Sequence, residues 1–100
     1  MTSEKKTEDS NVVYIGTKPF MNYVTSVVMQ FTTKNRDEVI IKARGKFINR
    51  AVDVAEVVKR KFMKEQEIGI TKIKIDSEEF ENKEGKKISV STIEITLSKK

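Results

Sequence analysis

The spacing of apolar residues changes period repeatedly along this chain, and that succession limits the fold more than any single motif. Val12-Val13-Tyr14-Ile15 is a short β-branched and aromatic run stopped by Gly16, which reads as a buried strand. Thr17-Lys18-Pro19 follows as a tight connection, and Pro19 suits the first turn of a helix, where its missing N–H costs nothing. Phe20, Met21, Val24, Val27, Val28 and Phe31 then recur at helical spacing, until Thr32-Thr33-Lys34-Asn35 ends the pattern. Glu38-Val39-Ile40-Ile41-Lys42-Ala43 is nearly continuous in apolar residues, as in a central strand or one covered on both faces, and Gly45 breaks it. A second helix spans about 46–63, with Ile48, Ala51, Val52, Ala55, Val58 and Phe62 on one face. Ile68, Ile70, Ile73 and Ile75 mark a third strand, and Ile88, Val90, Ile93, Ile95 and Leu97 a fourth, joined by a turn at Asn82-Lys83-Glu84-Gly85. The order β-α-β-α-β-β predicts an α+β fold, a two-layer sandwich with two helices on a four-stranded mixed sheet. One hundred residues make a single domain, spanning 11–100. The first ten residues show no periodicity and read as a disordered tail.

The last two strands carry a phase slip. Apolar positions in the fourth pass from even (Ile88, Val90) to odd (Ile93, Ile95, Leu97), and in the third from odd (Ile73, Ile75) to even (Phe80). A turn centred near Glu84 sets Ile75 against Ile93 and Phe80 against Ile88, so the two slips lie opposite one another. Side chains alternate across a strand, so such a slip changes the face presented or marks a bulge. The face change predicts an inner half that covers the core and a projecting hairpin arm at about 76–92. A bulge predicts an ordinary hairpin.

Composition removes most catalytic classes. With no Cys and no His, the chain has no disulfide, no thiolate nucleophile and no neutral-pH imidazole shuttle, and it lacks the commonest metal ligands. Ser and Thr have no histidine base, and no spaced carboxylate cluster suggests a metal site, so the chain is expected not to be an enzyme and to need no cofactor. No stretch approaches the roughly 18 apolar residues that span a bilayer, and the polar start lacks a signal-peptide core. A soluble intracellular protein without membrane contact is the expectation.

The net charge of +5 is unevenly placed. Residues 11–64 hold eleven basic side chains against four acidic ones, whereas the segments on either side are each close to balance. Within that stretch Lys18 lies in the first strand-to-helix connection, Arg44 and Lys46 bracket Gly45 in the second, and Asn49 and Arg50 follow one turn into the helix. Lys46 and Arg50, four apart, share a helix face. Consecutive β-α units can bring their connections to one sheet edge, where these cations would converge. Arg offers a planar fork for phosphate oxygens, Lys a mobile point charge, and a helix N-terminus free N–H donors. Cations there oppose the helix dipole, which argues for a purpose other than stability. Two readings fit: a polyanion site, or a solvated face. Two also fit Tyr23, as a platform that stacks on an unpaired base or as a partly buried surface residue. Phe62 is either core or an exposed contact between molecules.

Together these segments resemble the Alba family of archaeal chromatin proteins. The resemblance rests on Asn11-Val12-Val13-Tyr14-Ile15-Gly16, Lys18-Pro19-Phe20-Met21-Asn22-Tyr23-Val24, Val39-Ile40-Ile41-Lys42-Ala43-Arg44-Gly45-Lys46, Ile48-Asn49-Arg50-Ala51-Val52-Asp53 and Val90-Ser91-Thr92-Ile93-Glu94-Ile95. It implies a fold like the C-terminal domain of a bacterial translation initiation factor. It also implies a homodimer, or a heterodimer with a paralogue, that binds double-stranded DNA without sequence preference, coats and compacts it, and also binds RNA. Such a protein is cytoplasmic and chromosome-associated and assembles further along DNA. The alternative is a primarily RNA-binding protein, or a subunit of an RNA-processing particle. Carried over by position, Lys18, Arg44, Lys46, Asn49 and Arg50 would be body contacts, Asn22 and Tyr23 would lie near the interface and the RNA surface, and Phe62 would pack dimer against dimer. Lys86 and Lys87 would serve the arm. Thr17 stands where the family usually has a first lysine, which puts one phosphate contact and control by acetylation in question. Lys86 and Lys87 sit among Glu residues at a tip that often carries Arg, so the arm is expected to bind less tightly.

Overall fold

The computed structural model describes residues 10–62 and 67–99, the side chain of Phe62 lying outside that set. Strand β1 (Val12–Tyr14) leads into helix α1 (Phe20–Thr32) and strand β2 (Glu38–Arg44). A 3-10 turn (Gly45–Phe47) opens helix α2 (Ile48–Val57), and a π-turn (Val58–Phe62) extends it. Strands β3 (Ile68–Glu81) and β4 (Lys87–Lys99) complete the chain. The sheet order is β1-β2-β4-β3, with β1 and β2 parallel and the other pairs antiparallel. This is the two-layer α+β sandwich the periodicity predicts. β2 lies centrally, but its burial alternates, because both helices pack on one face and the other face is open. Among the described residues no helix is long and apolar enough to cross a membrane.

The core joins Val24, Val27 and Phe31 of α1 to Ala51, Val54, Ala55 and Val58 of the second helical segment, over Val39, Ile41, Ile95 and Leu97 of the sheet. One position on α2 departs from the expected stripe. Val52 is 40% exposed and Val54 is fully buried. At about 100° per residue, the buried set centred on Ala51 and Val58 includes Val54 and turns Val52 outward.

The hairpin pairs Ile75 with Ile93 and Phe80 with Ile88, the register expected from the turn. Pairing continues without a shift from Lys72↔Thr96 to Glu81↔Lys87, so the slip is a change of face. The bulge lies elsewhere, between Ile70 and Lys72. It keeps Ile68 and Ile70 on the same face as Ile73 and Ile75, despite their opposite parity. The expectation that the inner half covers the core holds for β4 and for Ile68 and Ile70 of β3, but not for Ile73 and Ile75. Ile93 and Ile95 are buried, whereas Ile73 is 59% and Ile75 75% exposed, because the outermost strand extends past the helices. Of the expected tail, residues 1–9 lie outside the described residues. Ser10 is tied in: its Oγ accepts the Val12 N–H at 3.0 Å, and its carbonyl accepts Gln30 Nε2 at 3.2 Å.

Candidate nucleic-acid interface

Because β1 and β2 run parallel in the register Tyr14↔Lys42, the connections that leave their C-terminal ends emerge at the same end of the sheet. The Ile15 N–H closes that end on the Lys42 carbonyl at 2.9 Å. The hairpin adds a third part. Arg44↔Thr92 is the last rung between β2 and β4, and five further β3–β4 rungs, Ser77↔Ser91 to Glu81↔Lys87, continue beyond it. At about 3.4 Å per residue, these extend roughly 17 Å past the end of β2. Two basic connections and the distal hairpin, far apart in sequence, therefore share one end of the molecule.

The first connection is held by two side chains. The Tyr23 hydroxyl accepts the N–H groups of Gly16 and Lys18, both at 2.9 Å. The Arg50 guanidinium donates Nη1–H to the Lys18 carbonyl. Lys18 is thus fixed along its backbone while its side chain remains exposed. Tyr23 is only 7% exposed, so it is no stacking platform but a core residue that shapes the connection. Its position explains this. At about 100° per residue, Tyr23 flanks the Phe20-Val24-Val27-Phe31 stripe, whereas Asn22 points away and is exposed. Arg50 is half-buried and partly committed to the Lys18 carbonyl, which links α2 to the first connection.

The second connection turns on Gly45, at φ +58, a left-handed conformation that residues with a Cβ adopt only under strain. Lys46 and Asn49 are exposed, and the Lys46 Nζ lies 5.5 Å from the centre of the Phe47 ring. Arg44 is not free. Its Nη1 is 3.0 Å from Glu78 Oε1, and its Cζ is 5.9 Å from the Phe80 ring centre. Both partners lie on the open sheet face of the hairpin, where the parity change also puts Ile88 and Val90. Among the described residues Lys18, Lys46 and Arg50 form no ion pair.

Helix starts carry the electropositive end of the backbone dipole and unpaired N–H groups. Neither α1, α2 nor the 3-10 turn has an acidic residue in its first turn or a side-chain cap. The result is a surface with cations free of ion pairs beside the positive ends of two helices, able to bind an anion such as phosphate.

The distal hairpin differs in character. Lys86 and Lys87 are exposed at its tip, but residues 76–92 hold five carboxylates against three lysines. The tip itself is ordered by Asn82, whose Oδ1 accepts the N–H groups of Glu84 and Lys86 at 2.9 and 3.0 Å. The Phe62 side chain lies outside the described residues, and its backbone closes the π-turn. Sequence reasoning missed Glu78 as the partner of Arg44. The contact follows from the pairing of β4 with both β2 and β3: Thr92 opposes both Arg44 and Asp76, and Glu78 is two residues further along the same face.

A family model described as Alba matches residues 11–77. The DNA/RNA-binding protein Alba of Methanococcus maripaludis is 51% identical over 89 residues, covering 89% of this chain and 98% of that protein. The protein of the same name from Nanoarchaeum equitans is 55% identical over 89 residues, covering 88% and 97%. Among solved structures, Alba from Thermoplasma volcanium superposes with a TM-score of 0.79 at 45% identity, covering 88% of this chain and 99% of that one.

Proposed function

The chain belongs to the Alba family, and from that premise we propose that it binds nucleic acid through the end of the sheet that carries Lys18, Arg44, Lys46, Asn49 and Arg50. The observation that carries the reading is the meeting of two acid-free, uncapped helix starts with three cations not engaged in ion pairs. These groups recognise phosphate, which every duplex presents whatever its sequence. Binding is therefore non-specific. The chain coats and compacts double-stranded DNA, associates with the chromosome and also binds RNA. It acts by binding, not catalysis.

It does so as a dimer, with itself or with a paralogue. Ile73 and Ile75 lie on the helix side of the outermost strand, with Val52 exposed on α2, and a solvent-facing apolar edge strand is a liability unless it is covered. A second copy would cover this face and present the five body residues to DNA twice over. Phe62, at the end of the second helical segment, would join dimers along the duplex. The hairpin forms an arm at about 76–92 that reaches along the groove. Its net negative charge makes Lys86 and Lys87 weak contributors, so the body carries most of the affinity and the arm adds a smaller, groove-dependent part.

Competition between unrelated 20-base-pair DNA duplexes tests the reading. The expected result is equal affinity within about twofold. A tenfold preference for one short sequence would contradict it. Duplex RNA of the same length distinguishes a DNA-coating protein from a primarily RNA-binding one, because the wide, shallow minor groove of A-form RNA suits slender arms less well.

A further inference from the structure

The sheet face that carries neither helix holds two exposed aromatic rings. Val13 and Ile15 are buried in the helix-side core, so by alternation Tyr14 projects from the opposite face, where it is 62% exposed. Lys42, its partner in register on β2, sets Nζ 5.9 Å from the centre of that ring and 3.6 Å from Glu94 Oε2. The same set recurs two residues further along β2. The Arg44 Cζ lies 5.9 Å from the ring centre of Phe80, which is 41% exposed, and its Nη1 lies 3.0 Å from Glu78 Oε1. Each set joins an aromatic ring, a cation and a carboxylate, and the two are offset by about 7 Å along the strand. Between them is a cavity of about 320 Å³, lined by Tyr14, Lys42, Arg44, Glu78 and Glu94 beside Thr92. Lys72 and Lys74 lie further across the same face on β3, because Ile73 and Ile75 take the helix side. Among the described residues neither lysine forms an ion pair.

We infer that this open face binds unpaired RNA, as a second site that meets the phosphate-binding end at Arg44. An exposed ring stacks on any base that is out of a duplex. Lys72 and Lys74 are free to neutralise phosphates. Glu78, Glu94 and Thr92 supply acceptors for base amino groups and for the 2′-hydroxyl, the donor that distinguishes RNA from DNA. The carboxylates repel phosphate, so the backbone runs on the lysine side while bases and sugars turn toward the rings. A duplex keeps its base faces stacked on one another and gains nothing from Tyr14. The inference rests on the part of the functional reading that makes nucleic acid the ligand, and not on which residues hold the duplex.

The test compares the full chain with Tyr14→Thr, which removes the ring and keeps a β-branched strand residue, and with Tyr14→Phe, which keeps the ring. Binding is measured on a 12-nucleotide oligouridylate, an oligodeoxyuridylate of equal length and a 20-base-pair DNA duplex. Tyr14→Thr should lose at least about fivefold on oligouridylate, the scale of one base–aromatic stack. Tyr14→Phe should stay within about twofold of the unaltered chain, and both variants should keep duplex affinity within about twofold. Oligodeoxyuridylate should bind the unaltered chain more weakly than oligouridylate. No loss for Tyr14→Thr on oligouridylate, an equal loss on the duplex, or equal binding of the two sugars overturns the inference. A readout without any variant is tyrosine emission, since the chain has no Trp and its other tyrosine, Tyr23, is buried. Oligouridylate should quench that emission and the duplex should not. Quenching by neither, or by both alike, overturns the stacking on Tyr14. Failure of the unaltered chain to bind the duplex, with oligouridylate still bound and Tyr14-dependent, overturns the Lys18 surface and supports this one.

Discussion

Replacing Glu78 with Gln should tighten binding to nucleic acid. In the free protein the Glu78 carboxylate lies 3.0 Å from the guanidinium of Arg44, the body cation whose planar fork is best suited to phosphate. Phosphate must displace that carboxylate to take up Arg44. Both side chains are more than half exposed, at 59% and 56%, so the pair is worth only about 0.2–1 kcal/mol. Removing it releases that amount to binding, a factor of about 1.4 to 5 for each copy, and up to about 25 if both copies of a dimer engage. The same change should lower stability by no more than about 1 kcal/mol. Fluorescence anisotropy on a labelled duplex at fixed salt measures the gain. Glu79→Gln is the control. It makes the same charge change one residue away, but Glu79 pairs with Ser89 on the opposite face of the arm and does not contact Arg44. Glu78→Gln should exceed Glu79→Gln at low and moderate salt. Equal gains would reduce Glu78 to one more distant negative charge, and a weakened complex would refute the competition outright.

Three further outcomes follow from the same geometry. Ile75→Asp, at a site 75% exposed in the single chain, should convert the dimer to a monomer in light scattering while leaving the helical signal intact; an unchanged dimer would place the interface elsewhere. Tyr23→Phe removes the acceptor of two backbone N–H groups and should cost about 1–3 kcal/mol, lowering the thermal midpoint by some 4–8 °C for each kcal/mol; an unaltered midpoint would deny Tyr23 its role in shaping the first connection. Lys18→Gln, which mimics acetylation, should weaken duplex binding several-fold, and unchanged binding at physiological salt would remove Lys18 from the interface.

Much of the fold was legible because apolar period and turn residues agree along the chain. The β1-α1-β2 unit needed only Val12, Val13 and Ile15, the Phe20-Val24-Val27-Phe31 stripe, and Val39, Ile41 and Ala43. What escaped were competing alignments of the same residues. Val52 and Val54 both complete a plausible stripe on α2, and only packing against α1 and the sheet selects Val54. Ile70 and Ile73 are three apart, the mark of an extra residue in a strand, yet Ile73 and Ile75 together read as plain alternation. Tyr23 sits at the stripe's flank, where a polar tip disguises a buried ring. The cationic residues were readable as a group because two parallel strands must send their connections to one end. The Arg44–Glu78 pair was not, because it depends on the pairing of β2 with β4 across half the chain.

The salt dependence of duplex binding tests the central claim most directly, that free cations at one end of the sheet hold phosphates. If about six of the body side chains of a dimer reach phosphates, the slope of log affinity against log salt is roughly −5. Replacing Arg44 with Ala should flatten it by about one unit for each phosphate no longer neutralised, on every sequence alike. A slope near zero, or one that Arg44→Ala leaves unchanged, would contradict the account.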